Sequence, residues 1–143
     1  MYSVINDRSI FYIARISDKA NRLLIRELKK HGLQGLAPSH GDIMVALFKK
    51  QKVPMKELAR IIDRDKSTVT GLVDKLVRLG YLEKQADPAD QRVQIVSLTE
   101  KGGRLIPDFI TISITLQERF GRGLDDEEKE TLVRLLKKVN DAW

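Results

Sequence analysis

A mainly α-helical chain carrying one small β-hairpin is what this sequence predicts, on three observations. Apolar residues recur at helical spacing through most of the 143 positions. Two short helical stretches lie back to back around Asp63-Arg64-Asp65. Directly after them, two strand-like runs flank a centre rich in turn formers. The 42% hydrophobic content can supply a core for one domain of this length.

Residues 8 to 30 place Ile10, Phe11, Ala14, Ala20, Leu23, Leu24 and Leu28 near a helical repeat, predicting a long first helix that ends at Gly32. Ile13, Ile16 and Ile25 widen its stripe beyond what one neighbour needs. Part of that face therefore meets a second chain, or the helix is packed on two sides within one chain. A second helix begins at Pro38 or Ser39, with Ser39 and Asp42 at capping-box spacing, and buries Ile43, Met44, Leu47 and Phe48. The run Lys49-Lys50-Gln51-Lys52 reads as a solvated loop. Pro54 suits the first position of a third helix, Met55 to Ile62.

The fourth helix runs from Asp65, a capping carboxylate, to Gly80, where the chain turns away. Val69, Leu72, Val73 and Leu76 form its buried stripe, and Ser67, Thr70, Gly71, Asp74, Lys75 and Arg78 the opposite face. Short hydroxyl and glycine residues let a backbone approach closely, and flanking cations suit phosphates, as in a helix lying in a DNA major groove. An ordinary solvated face is the alternative. Helices three and four together form a helix-turn-helix. Residues 81 to 85 and 93 to 98 then pair around Ala86 to Arg92 as a wing. Arg92 near its tip suits a minor groove, with an ordinary exposed surface arginine as the alternative, and Asp90 braces the hairpin or orients Arg92.

Thr99 caps a fifth helix reaching about Phe120, in which Pro107 should produce a kink. Asp125 caps a sixth, with Glu128 at capping-box spacing and Leu132, Leu135, Leu136 and Val139 along its stripe. Trp143 is expected to dock on a partner helix or a sister subunit.

Charge and composition narrow the function. The net charge is +6, and residues 49 to 104 hold 13 Lys/Arg against 8 Asp/Glu, a footprint suited to nucleic acid. The absence of cysteine excludes disulfides and thiolate metal sites. No apolar run approaches the ~20 residues of a membrane span, and residues 1 to 8 lack a signal-peptide profile, so no membrane partner and a cytoplasmic location are expected. No phosphate-cradling loop, nucleophile elbow or metal motif is found, so neither an enzyme nor any cofactor or metal is expected.

The segments Met55-Lys-Glu-Leu-Ala, Asp65-Lys-Ser-Thr-Val-Thr-Gly-Leu-Val-Asp-Lys-Leu, Gly80-Tyr-Leu-Glu-Lys, Asp87-Pro-Ala-Asp-Gln-Arg-Val and Leu98-Thr-Glu-Lys-Gly together resemble the MarR family of transcriptional regulators. That resemblance is strongest over residues 55 to 102. It implies a homodimer binding a pseudo-palindromic operator in double-stranded DNA, built from a winged helix-turn-helix domain at 36–102 and a helical dimerisation region at 1–35 and 103–143. The DNA-facing residues would be Arg64, Lys66, Ser67, Thr68, Thr70, Gly71, Lys75, Asp90 and Arg92. Gln91 stands where many members carry a further basic residue, and Ala37 replaces a common capping Thr. The resemblance also suggests repression relieved by a phenolic or other aromatic anion in a cleft where His40 would orient the effector. His40 could instead be a partly exposed helix-start residue. A winged-helix protein-interaction module without DNA binding is the alternative function, since fold alone does not separate the two.

Overall fold

The computed structural model describes residues 5–143; the sequence reading of residues 1–4 lies outside it. Its elements in order are α1 (Ser9–Lys30), α2 (Pro38–Lys50), β1 (Lys52–Pro54), α3 (Met55–Ile61), α4 (Lys66–Arg78), β2 (Leu82–Ala86), β3 (Gln94–Leu98), α5 (Glu100–Gly103), α6 (Ile106–Phe120) and α7 (Asp126–Asp141). The mainly helical architecture with a small antiparallel sheet is therefore present, and the sheet has one strand more than the sequence suggested. Lys52 belongs to that strand rather than to a loop: β1 pairs with β3 through Lys52 with Ser97, Val53 with Val96 and Pro54 with Ile95. Three residues carry too little pattern to announce a strand, and Pro54 is tolerated because β1 lies at the sheet edge. Pro54 itself precedes the first residue of α3.

One core joins the elements. Leu28, Leu33 and Leu36 from α1 and its connector meet Ile43, Met44 and Leu47 of α2, Leu58 of α3, and Val69, Val73 and Leu76 of α4. Val96 of β3 and Phe109 and Ile112 of α6 close it. Phe48 and Phe109 pack edge to face with ring centroids 5.1 Å apart, which holds α6 against α2. Gly32 and Gly80 take φ of +75° and +85°, the left-handed conformation that ends α1 and α4.

Three expectations are corrected. Ser39 does not cap α2: the cap position is Ala37, and the His40 ring, not Asp42, accepts the Ala37 N–H at 2.8 Å. The predicted fifth helix is two helices. Thr99 caps the single turn α5 through a 3.0 Å bond from the Gly102 N–H, and the chain restarts at Ile106. Pro107 then occupies the first turn of α6, where no intrahelical N–H is needed, so it starts a helix instead of kinking one. Gly102 is required at the junction, since a Cβ there would lie 2.2 Å from the Tyr81 carbonyl oxygen. Trp143 is 94% exposed in the protomer and docks on no described helix of its own chain, which leaves the sister subunit of the two expected docking partners.

Candidate nucleic-acid interface

The helix-turn-helix is built by α3 and α4. Asp65 adopts an extended conformation and accepts the Thr68 N–H at 3.0 Å, fixing the first turn of α4. Hydrogen bonds from the Thr68 side chain and N–H hold the Asp65 carboxyl below the usual carboxylate range. Val69, Val73 and Leu76 are buried on one side of α4, which leaves Ser67, Thr68, Gly71 and Arg78 exposed on the other. A methyl group placed on Gly71 would meet no atom within 4 Å. Glycine is thus not demanded there by packing or by backbone angle, although it weakens a helix interior by about 1 kcal/mol relative to alanine. The surface over Gly71 is open.

The wing is held to α4. Lys84 of β2 donates to Asp74 of α4 at 2.7 Å, so the hairpin root and the middle of the helix are clamped together. Lys84 escaped the sequence reading; an unpaired-looking Asp74 in the outer face was the signal for it. β2 and β3 pair from Leu82 with Leu98 to Ala86 with Gln94, and the tip between them is closed by the Asp87 N–H bonding the Val93 carbonyl at 2.8 Å. Asp87 also accepts the Ala89 N–H, forming a local turn. At the tip Arg92 donates from Nε to Asp90 at 3.1 Å and from Nη2 at 3.3 Å, while its N–H binds the same carboxylate. The Arg92 side chain and N–H hold the Asp90 carboxyl below its ordinary range. Arg92 remains 91% exposed, so the pair aims a cation outward while leaving most of it free.

The remaining assigned residues divide. Arg64 and Lys66 are exposed at the start of α4, and Arg64 reaches the Ser39 hydroxyl at 3.5 Å. Thr70 is half-buried, and its hydroxyl donates to the Lys66 carbonyl at 2.8 Å. Lys75 points aside: its ammonium donates to the Gly35 carbonyl in the connector between α1 and α2. That bond ties α4 to the connector and takes Lys75 away from the strip formed by Ser67, Gly71 and Arg78. His40, expected to be partly exposed if it held no ligand, is only 6% exposed. Its Nδ1 accepts the Ala37 N–H, which requires a neutral ring carrying its proton on Nε2. Burial, then the Lys75 charge, pushes its pKa down. Structural capping accounts for this geometry.

No described helix is long and apolar enough to cross a membrane, and the described residues contain no cluster of three or more metal-ligating side chains.

Comparison with known proteins agrees with this arrangement. The MarR family model matches residues 36–93, from the connector before α2 to the wing tip, ending just before β3. The chain is 32% identical over 112 residues to the HTH-type transcriptional regulator SarZ of Staphylococcus haemolyticus, covering 78% of this chain and 73% of SarZ. Among solved structures, a MarR mutant from E. coli complexed with operator DNA superposes with a TM-score of 0.84 at 24% identity, covering 97% of each chain. Bordetella bronchiseptica BpsR, from a study of how 6-hydroxynicotinic acid regulates its DNA binding, gives 0.85 at 21% identity over 94% of each. With the winged helix-turn-helix complete and these likenesses along nearly its whole length, the chain belongs to the MarR family of DNA-binding transcriptional regulators.

Proposed function

We propose that this regulator acts as a homodimeric repressor on a pseudo-palindromic operator, reading one half-site with each winged face. The observation that carries the reading is the open strip of Ser67, Thr68 and Gly71 on a helix clamped through Asp74 and Lys84 to a hairpin ending in Arg92. Backbone contact from Arg64, Lys66 and Arg92 would supply most of the affinity, and the strip the sequence preference. Thr70 and Lys75 support the interface from its flank, and Asp90 orients Arg92. E. coli MarR has been captured with operator DNA on the same fold, which supports the docking mode.

Residues 1–35 and 103–143 form the dimerisation region in this proposal. Ile10, Ile13 and Ile16 of α1, Ile110, Ile114 and Phe120 of α6, and Val133, Leu135 and Val139 of α7 are exposed in the protomer, and α7 buries none of its residues. Faces so apolar need a cover, and Trp143 would dock on the sister subunit. An aromatic anion bound between this region and the winged domain would shift the spacing of the two wings, with Lys75 and His40 beside the connector that links them. BpsR, whose DNA binding is regulated by 6-hydroxynicotinic acid, supports that class of effector. The cytoplasm is the compartment in which such a regulator meets DNA.

The test is a gel shift on the DNA upstream of the chain's own coding sequence, with and without phenolic acids. Discrete, competitor-resistant complexes released by a phenolic anion support the reading. Binding no tighter than to unrelated duplex at physiological salt rejects it and favours the protein-interaction module.

A further inference from the structure

The winged interface leaves a long row of positive charge on α1 unused. Along α1, Arg15, Lys19, Arg22, Arg26 and Lys29 follow one another at intervals of four, three, four and three residues. All five are exposed, and among the described residues none forms an ion pair. Asp18, one turn from Arg22, does not pair with it, and Lys30 alone on this helix is neutralised, by Glu27 at 3.0 Å. At about 100° per residue the five cations fall within one narrow stripe, extending over about 21 Å. Arg15 also lies 5.7 Å from the centre of the Phe11 ring, which steadies that end.

The stripe has its own direction. Leu23, Glu27 and Leu28 bury the opposite side of α1, and Ile10, Ile13 and Ile16 continue that apolar side toward the N-terminus. The cations are centred about 150° around the helix from it. A dimer closed over the apolar side leaves the cationic stripe facing out. α1 packs on α6 and α2, whereas α4 packs on α2, α3 and β2, so the stripe belongs to a different part of the protomer from the recognition strip.

We propose that this face of α1 is a second, sequence-independent contact for a duplex backbone, allowing an operator-bound dimer to hold another DNA segment. This rests on the reading of the winged face given above. A row of guanidinium and ammonium groups about 5 Å apart along the axis suits a linear array of phosphates. Between Arg15 and Lys29 the one exposed large apolar residue beside the stripe is Ile25, and the exposed aromatics Phe11 and Tyr12 lie beyond its N-terminal end, so over that length it lacks the aromatic anchors of a protein interface and the apolar face that an interfacial membrane helix inserts. Five phosphate contacts per protomer give a salt slope near −4.5, and loss of two of them reduces it to about −2.7.

The test loads the full-length dimer on immobilised operator and offers a labelled duplex of random sequence. The wild type should capture it in a salt-dependent manner. Arg22→Gln with Arg26→Gln should capture about tenfold less while its operator affinity stays within about twofold. Lys19→Gln with Lys29→Gln should behave alike, each variant being checked for an unchanged thermal melt. Failure of the wild type to capture a second duplex overturns the proposal, as does capture at the wild-type level by both variants. Capture of polyglutamate or of phosphatidylglycerol vesicles in preference to duplex overturns it too. If the winged reading is what fails, no operator loads at all, and the same variants then compared on random duplex alone decide whether the stripe binds it.

Discussion

Replacing Gly71 by alanine separates folding from function. A methyl group there touches nothing within the protomer, and the backbone is ordinary α-helix, so the substitution should yield the full propensity gain, about 1 kcal/mol. For a chain of this size that raises the melting temperature by about 3 °C. Operator binding should move the other way. If duplex passes within van der Waals distance of the Gly71 Cα, the methyl forces α4 outward and weakens contacts on both sides, costing about 1.4 kcal/mol, a tenfold rise in Kd. Thermal melting by circular dichroism and anisotropy of a labelled operator measure the two effects on one preparation. A stabilised variant with unchanged operator affinity would refute the close approach, and a destabilised one would refute the claim that the site is open.

Arg92→Ala should flatten the salt dependence of operator binding by about 1.8 in log–log slope, since a dimer loses two phosphate contacts; an unchanged slope would remove the wing from the backbone contact. His40 should make stability pH-dependent. Its folded pKa is depressed, so the unfolded chain binds the extra proton, and the contribution is present above about pH 6.5 and lost as pH falls toward the folded value. His40→Gln, whose amide oxygen can still accept the Ala37 N–H, should lose that part of the decline between about pH 7.5 and 5.5, and identical pH profiles would contradict the assignment. Gly102→Ala drives a Cβ into the Tyr81 carbonyl and should cost about 2 kcal/mol in denaturant unfolding, whereas a neutral result would mean the α5 junction yields freely.

Much of this was legible in the sequence because the signals were local. The capped, amphipathic α4 and the turn-rich wing announce themselves within a dozen residues, as does the capping box at Asp125, where the carboxylate accepts the Glu128 N–H at 2.8 Å and Glu128 accepts the Asp125 N–H at 3.0 Å. What stayed hidden depended on residues far apart. The pairing of β1 is fixed by β3, more than forty positions on. The break before α6 depends on Gly102 fitting beneath Tyr81. Lys75 looked like a groove-reading cation because its helical position is outward, and only the folded connector shows that Gly35 takes its ammonium. His40 presents the same lesson: a polar residue near a helix start reads as exposed until the chain before it folds back to offer the Ala37 N–H.

The central claim is that two copies of the α4 strip and the Arg92 wing meet one duplex at a separation set by dimerisation. Hydroxyl-radical footprinting of the selected operator addresses it directly. The account predicts two equivalent protected patches with centres about 10 bp apart, flanked by wing-dependent protections that vanish in Arg92→Ala. A single uninterrupted patch, or flanking protections that survive the loss of Arg92, would contradict it.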